Sequence, residues 1–268
     1  MNMDAYERFL LTLIQKLDLD LSGYKRKQME RRINSLMGIL GFNNDYDKFV
    51  QAMLKDKRIY HRFLEHITIN VSEFFRNPSQ WEILREKIFP KLLSEEKRLY
   101  IWSVGCSTGE EVYSLAMTLT EFFPMQRYSI WATDCDDTVL RKAKEGVYSS
   151  KSIKTVPDKY LNKYFIVENK TYHIKDELKK NITFGNHDIL KDKFPKQMDF
   201  IVCRNVVIYF KEEIKDQLYF KFYDCVTTWR YFVYEVVQNK LFRLKRWGLK
   251  QLQHFFIGDL IELSELYR

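Results

Sequence analysis

The chain has 268 residues, 46% of them hydrophobic, which is enough to bury a core in one large domain or two smaller ones. No apolar run reaches the roughly 18 uninterrupted residues of a membrane span, and the first residues lack a signal-peptide pattern, so we expect a cytoplasmic protein. The net charge of +8 fits a solvated, lysine-rich surface as well as an acidic partner, either nucleic acid or a glutamate-rich protein.

Residues 1 to about 76 are predicted to be all-helical, because they contain no proline and place apolar residues at helical spacing. One of these helices carries both basic and apolar positions. Its basic positions are Lys25, Arg26, Lys27, Arg31 and Arg32, and its apolar positions are Met29, Ile33, Leu36 and Met37. The apolar positions are expected to pack inward and to leave a basic outer face, which is either solvated or a docking surface.

Short strands and helices alternate in the next part of the chain. Apolar, β-branched runs predict four strands, at 99–104, 128–133, 182–185 and 198–203. Helical patterns begin at Glu110 and near Asp137, and this alternation is typical of a parallel sheet with helical crossovers. Residues of about 150–182 interrupt it with a short helix at 159–164 and two short strands around a turn, which we interpret as a small antiparallel insertion.

A loop of the form Gly-x-Ser-x-Gly, from Gly105 to Gly109, joins the first strand to its helix. Small residues let the backbone turn tightly and approach a ligand there. A dinucleotide site would have the spacing G-x-G-x-x-G, and Glu110 and Glu111 would repel its pyrophosphate. The two carboxylates suit a ligand with a cationic amine and a sulfonium, or they merely favour the helix N-terminus.

Asp134 follows the second predicted strand, where a carboxylate can accept both hydroxyls of a ribose. The alternative is a helix-capping aspartate, a need that Asp136 or Asp137 already meets. Because the glycine loop and Asp134 occur together, the sequence favours a nucleoside ligand. Asp188, after a later strand, could bind an adenine amino group, and Tyr209 could stack on the base or be a core tyrosine.

Other chemistries find little support in the sequence. The four cysteines are widely spaced and the five histidines show no metal-ligand spacing, so we expect reduced thiols and no metal site. No Ser-His-Asp or Cys-His arrangement for nucleophilic catalysis is evident.

Four motifs, taken together and in order, carry a family resemblance. They are residues 70–77 (NVSEFFRN), 105–113, 132–134 and 203–210 (CRNVVIYF). On these motifs the chain resembles, from residue 1 to about 225, the CheR-type chemoreceptor glutamate methyltransferases. The resemblance implies an α/β fold, a class I S-adenosylmethionine methyltransferase (Rossmann-like) sheet at 77–225 that carries the antiparallel β insertion, with an N-terminal all-helical domain at 1–76.

The resemblance also implies S-adenosylmethionine as cofactor and assigns roles to single residues. The expected cofactor contacts are Asn70, Ser72, Arg76, Gly105, Glu111, Asp134, Asp188, Ile189, Asn205 and Val206. Glu111 is favoured over Glu110 for the methionine end, and Asp134 is expected at the ribose. Arg76 and Tyr209 form the expected catalytic set, with Tyr209 beside the adenosine. Family members often have Asn at position 188, so the hydrogen bonds there stay open.

The chemistry of glutamate methylation needs few groups from the protein. A glutamate carboxylate is ionised at neutral pH, so it can attack the sulfonium methyl without a general base. Arg76 is expected to orient that carboxylate, because a guanidinium binds it bidentately. The expected partner is the acidic, helical cytoplasmic domain of a chemoreceptor, docked by Lys25, Arg26, Arg31 and Arg32. We expect a monomer with no nucleic acid partner and no membrane insertion.

Two other functions stay open at this stage. A methyltransferase for RNA would bind the phosphates of its substrate through the positive charge, although the sequence lacks an Asn/Asp-Pro-Pro-Tyr motif for base amines. The other alternative is a degenerate module that binds cofactor and receptor but turns over poorly.

Residues 226–268 form an atypical tail, where the resemblance stops and where no proline occurs. Back-translated in other frames, three stretches of the tail give Pro-Gly-Gly-Ile, Gly-Ser-Thr-Glu-Gln and Phe-Phe-Tyr-Arg in order, which favours two small frameshifts over a divergent tail. We therefore expect no pair of closing strands, and one short strand at most, from residues 232–237. An amphipathic helix at 240–254 and an open sheet edge are also expected.

Overall fold

The computed structural model describes residues 3–68, 72–93 and 98–234. The chain divides into two compact units. Unit 1 comprises residues 1–70 and 209–217, and unit 2 comprises residues 71–208 and 218–268. Among the described residues, no helix is both long and apolar enough to cross a membrane.

Unit 1 is built mainly from four helices, as predicted for the N-terminal residues. They are α1 (Ala5–Leu17), α2 (Arg26–Ile39), α3 (Tyr46–Lys55) and α4 (Lys57–Ile67). Helix α1 begins at a capping box, in which Asp4 accepts the Glu7 N–H at 2.9 Å and the Glu7 side chain accepts the Asp4 N–H. The rings of Phe9, Phe49 and Phe63 meet at the centre of the unit, and all three are buried.

The apolar stripe predicted on α2 is confirmed, because all four of its members are buried. Its basic residues differ from one another. Arg26 and Arg31 are both exposed, but Arg26 forms ion pairs with Asp4 and with Glu30. Arg32 is half-buried and donates to the carbonyls at the end of α4, so the basic face is narrower than the sequence suggests. Its role as a dock stays a prediction.

Residues 209–217 belong to unit 1 because their main chain pairs with the loop before α2. The Lys25 N–H donates to the Tyr209 carbonyl at 2.9 Å, and the Lys211 N–H donates to the Gly23 carbonyl at 2.8 Å. The rings of Tyr24 and Phe210 also pack together, 4.8 Å apart.

Unit 2 contains the strands of the described chain and most of the remaining helices. The strands are β1 (Leu99–Val104), β2 (Tyr128–Asp134), β3 (Val147–Ser149), β4 (Phe165–Glu168), β5 (Thr171–Ile174), β6 (Ile182–Asn186), β7 (Met198–Cys203) and β8 (Val226–Tyr234). The helices are α5 (Pro78–Ile83), α6 (Phe89–Leu93), α7 (Glu110–Leu119), α8 (Asp137–Glu145), α9 (Asp158–Tyr164), α10 (Asp176–Lys179) and α11 (Glu212–Cys225), the last of which begins in unit 1. A π-helix, Leu84–Ile88, joins α5 to α6.

The main sheet is parallel throughout, in the order β6-β2-β1-β7-β8. All four predicted strands are present, and β1 has the predicted bounds. Five of the six β1 residues are buried, as expected of a strand that is covered on both faces.

The predicted small insertion is a three-stranded antiparallel sheet, in the order β3-β5-β4. Strands β4 and β5 and helix α9 match the prediction. Strand β3 lies before the predicted start at about residue 150 and is absent from the prediction. Three residues are too few to show an alternating pattern, so its pairing with β5 determines the strand.

The tail contributes strand β8, which pairs in parallel with β7. The expectation of a short strand at 232–237 is therefore wrong in its extent, since β8 begins at Val226 and is nine residues long. Its β-branched and aromatic residues have high strand propensity, and β7 offers an edge to pair with. The predicted helix at 240–254 and any second closing strand lie outside the described residues, and the frameshift interpretation stays a prediction.

Candidate functional site at the carboxyl edge of the sheet

The parallel strands bring the predicted site residues that follow β1, β2, β6 and β7 to one edge of the sheet. Val104 at the end of β1 is in register with Thr133 of β2, and Asp134 is in register with Asn186 of β6. The loop after β7 follows at the same edge, because Ser103 is in register with Val202. Ligands of open parallel sheets bind outside these carboxyl ends.

The loop after β1 depends on left-handed backbone conformations. Gly105 and Gly109 have φ values of 67° and 94°, and Ser107 between them has a φ of 48°. A Cβ atom built on Gly105 would overlap the Cγ2 of Val206, so this glycine lets the loops after β1 and β7 meet. Tyr148 secures the far end of the loop, where its hydroxyl donates to the Thr108 carbonyl at 2.7 Å.

Asp134 is a buried carboxylate held by the main chain. Its Oδ2 accepts the Ser107 N–H at 2.9 Å, and its Oδ1 accepts the Asp136 N–H at 3.1 Å. Burial raises the pKa of this carboxyl above its ordinary value of 3.8, while the two N–H groups act in the opposite direction. The cap of α8 is Asp136, which accepts the Thr138 N–H at 2.8 Å, so Asp134 does not serve as the helix cap.

The two glutamates at the start of α7 have different partners. Glu110 is buried and accepts the Thr108 hydroxyl at 2.6 Å. Glu111 forms an ion pair with Arg204, with Nη1 and Oε2 3.2 Å apart. Both carboxylates also lie in the first turn of α7, where the helix dipole favours negative charge. Their position is therefore compatible both with binding a cationic ligand and with stabilising the helix N-terminus.

Arg204 has no role in the sequence-based prediction, yet it lies between two predicted site residues, Glu111 and Arg76. Its guanidinium is buried, pairs with Glu111, donates from Nη2 to the Arg76 carbonyl at 2.8 Å, and lies 5.7 Å from the ring centre of Trp81. Its position in the sequence, directly after a buried apolar strand, is a signal that its guanidinium is buried and therefore needs a partner. Nothing in the sequence identifies Glu111 as that partner.

The segment before α5 is anchored through its main chain. The Phe75 N–H donates to the Ser114 hydroxyl at 3.0 Å, and the Arg76 carbonyl accepts the Trp81 indole N–H at 2.9 Å. Phe75 and Asn77 adopt left-handed conformations on either side of Arg76. The Arg76 side chain is half-buried, and among the described residues its guanidinium has no hydrogen bond or ion pair. Ser72 is also half-buried.

The predicted adenosine contacts lie after β6 and β7. Asp188 accepts the Leu190 N–H at 2.9 Å, and Ile189 is buried. Asn205 has a left-handed φ of 58°.

Two predicted residues fall outside this arrangement. Asn70 lies outside the described residues. Tyr209 belongs to unit 1, where its carbonyl accepts the Lys25 N–H, and its place beside the adenosine stays a prediction.

The remaining geometry offers polar groups to a ligand. The Ser107 hydroxyl is buried and has no hydrogen-bond partner among the described residues, and the same holds for the Nε of Arg204. The carboxylate of Asp134 lies beside the Ser107 main chain. Acceptors and an unsatisfied hydroxyl at the carboxyl edge fit the ribose and amino-acid parts of a nucleoside ligand.

Comparison with known proteins yields two family matches. The family described as "CheR methyltransferase, SAM binding domain" matches residues 70–233, and the family described as "CheR methyltransferase, all-alpha domain" matches residues 4–68.

Three relatives are each named chemotaxis protein methyltransferase. The Listeria innocua protein is 39% identical over 220 residues, which cover 82% of this chain and 84% of the relative. The Borreliella burgdorferi protein is 34% identical, covering 82% of both chains. The Salmonella typhimurium protein is 29% identical, covering 82% of this chain and 78% of the relative.

Proposed function

We propose that this chain, which belongs to the CheR methyltransferase family, transfers the methyl group of S-adenosylmethionine to glutamate side chains of chemoreceptors. Its S-adenosylmethionine-binding domain and its all-alpha domain are those of a chemotaxis methyltransferase. The choice of glutamate as the acceptor, and of the receptor as the partner, is the step that needs testing.

Asp134 carries the proposal within the structure. A carboxylate that is 9% exposed, with one main-chain N–H on each oxygen, is held in a fixed orientation at the carboxyl edge of the sheet. Each oxygen keeps a further lone pair for a hydroxyl donor, so Asp134 is the residue that would hold the ribose. Ser107 adds a buried hydroxyl beside it.

The other site residues would hold the remaining parts of the cofactor. Glu111 would bind the amino group at the methionine end, since its carboxylate already lies in a fixed ion pair. Asp188 and Ile189 would line the adenine on one side, with Asn205 and Val206 on the other. The packing of Val206 against Gly105 supports this placement.

S-adenosylmethionine, when bound, would supply a methyl group on a positively charged sulfur; transfer would exchange the methyl C–S bond for a C–O bond to the glutamate and leave the electron pair on sulfur. The protein needs no general base, because the attacking carboxylate is already ionised at neutral pH. Its contribution is to hold the carboxylate in line and to exclude water.

Arg76 would perform that alignment. Two donors, Trp81 and Arg204, fix its carbonyl, while its guanidinium has no partner among the described residues. A guanidinium on a fixed main chain can bind the substrate carboxylate bidentately. Ion pairing would also lower the reactivity of that carboxylate, so the role assigned to Arg76 is positioning.

The test is methyl transfer from radiolabelled S-adenosylmethionine to chemoreceptor-containing membranes. We expect label that mild base releases as methanol, as for a methyl ester, and that nuclease treatment does not reduce. Label on RNA would instead support the alternative function, an RNA methyltransferase. Cofactor binding without any transfer would identify the degenerate binding module.

Within that assay, Arg76→Ala should lower turnover at saturating cofactor by roughly a hundredfold, the effect of a misplaced reactant, while cofactor affinity changes much less. Arg141→Ala, which removes an exposed arginine of α8, is the matched control and should leave turnover unchanged. Wild-type turnover in Arg76→Ala would remove the positioning role.

A further inference from the structure

A single buried guanidinium, that of Arg204, connects three segments of the proposed cofactor site. Its side chain is 3% exposed. Nη1 lies 3.2 Å from the Glu111 carboxylate at the start of α7, and Nη2 donates to the Arg76 carbonyl before α5. Arg204 itself directly follows β7. The three segments are far apart in sequence, and this side chain contacts the other two at once.

The burial of Arg204 makes its contacts necessary for stability. A buried guanidinium without a counter-charge is strongly destabilising, so Arg204 requires the Glu111 carboxylate, which is 15% exposed in its side chain. The planar fork of arginine donates in fixed directions, so the carboxylate and the carbonyl are held at a set separation. A lysine at this position would keep the charge but lose that fixed geometry.

We propose that Arg204 is a positioning residue for the amino-acid end of the cofactor. It acts through Glu111, whose carboxylate it orients toward the ligand's amino group, and through the main chain of Arg76. The inference rests on the proposed S-adenosylmethionine site and adds to it a residue that touches neither the methyl group nor the adenosine. Its effect is therefore restricted to ligands that carry the amino-acid end.

The test compares two ligands that differ in that end. S-adenosylhomocysteine carries the amino and carboxyl groups, whereas 5′-methylthioadenosine keeps the nucleoside and the sulfur but lacks both groups. In Arg204→Gln, calorimetry should show S-adenosylhomocysteine binding weakened about tenfold to a hundredfold, the range for lost hydrogen bonds to a charged group. Binding of 5′-methylthioadenosine should change less than about threefold.

Two further variants separate positioning from general damage. Arg204→Lys keeps the charge, so it should remain folded and lose an intermediate fraction of S-adenosylhomocysteine affinity. Arg85→Gln is the matched control, because it breaks another ion pair of unit 2, that of Arg85 with Glu121 at 2.9 Å, away from the site. It should leave the affinities for both ligands unchanged.

A cycle with Glu111→Gln completes the design. If Arg204 acts through Glu111, the losses of S-adenosylhomocysteine affinity in the two single variants should not add in the double variant. Equal weakening of both ligands in Arg204→Gln and in Arg204→Lys would overturn the proposal and leave a purely structural residue, and additive losses would overturn the link to Glu111. Failure of the wild-type chain to bind either ligand would instead contradict the proposed function.

Discussion

Asp134 and Glu111 are two carboxylates of one candidate site, but different parts of the protein hold them. Asp134 is fixed by main-chain N–H groups of Ser107 and Asp136, one of them only two residues away. Glu111 is fixed by the side chain of Arg204, 93 residues further along the chain. The proposed ribose end of the site thus depends on backbone conformation, and the proposed amino-acid end depends on an ion pair.

The difference matters for what a substitution can do. A main-chain N–H is present whatever the side chain, so the environment of Asp134 fails only when the backbone changes. The environment of Glu111 depends in addition on a side chain, that of Arg204. We expect substitutions of loop glycines to disable the ribose end, and side-chain substitutions to act locally at the amino-acid end.

The largest effect should come from Gly105→Ala, which strains the main chain at the proposed ribose end of the site. The new methyl group would overlap Val206, and Gly105 already has a left-handed φ of 67°, so we expect a loss of about 2–5 kcal/mol in the free energy of unfolding. Urea denaturation measures it. Gly38→Ala in α2 is the control, because a Cβ there meets nothing within 4 Å, and it should be neutral or stabilising. Equal stabilities for the two variants would mean that the loops after β1 and β7 separate at no cost.

Asp134→Ala should have the next largest effect. The backbone remains, but the ribose loses a charged acceptor, so S-adenosylmethionine binding should weaken by about 1–3 kcal/mol. Calorimetry measures the change, with Asp188→Asn as the comparison at the adenine end, where an amide keeps an acceptor and a smaller loss is expected. An unchanged affinity in Asp134→Ala would remove this residue from the site.

The smallest effect concerns pH. The pKa of Asp134 in the free protein is raised above 3.8, chiefly by burial, whereas hydroxyl donors from a ribose would favour the ionised form and lower it. The ligand therefore binds the ionised form better, so affinity should be constant well above the raised pKa and should fall as the pH drops through it. Calorimetry between roughly pH 4 and pH 7 tests this. The titration of a single group can change the affinity by at most about tenfold per pH unit.

The two carboxylates should separate in that experiment. Asp134→Asn should abolish the decline at low pH, and Glu111→Gln should preserve it. A decline that persists in Asp134→Asn would assign the titration to another group.

The sequence was informative where a pattern is local. Strand β1 could be predicted to the residue, because its apolar run is bounded by Gly105 and is nearly all buried. The small residues of the following loop predict its tight turn, and the structure adds that Gly105, Ser107 and Gly109 adopt left-handed conformations. The Glu111–Arg204 pair could not be found, because charged residues carry no signal of their partners. Strand β8 was underestimated, since its pairing depends on the edge that β7 presents.

The contact between Arg204 and residue 76 involves the carbonyl of Arg76, and every amino acid has that carbonyl. Trp81 binds the same oxygen. The conformation of the segment therefore does not depend on the side chain at position 76, so a substitution there should leave the surrounding main chain in place. If Arg76 orients the acceptor as proposed, the choice of acceptor can be altered at position 76 without rebuilding the main chain that holds it.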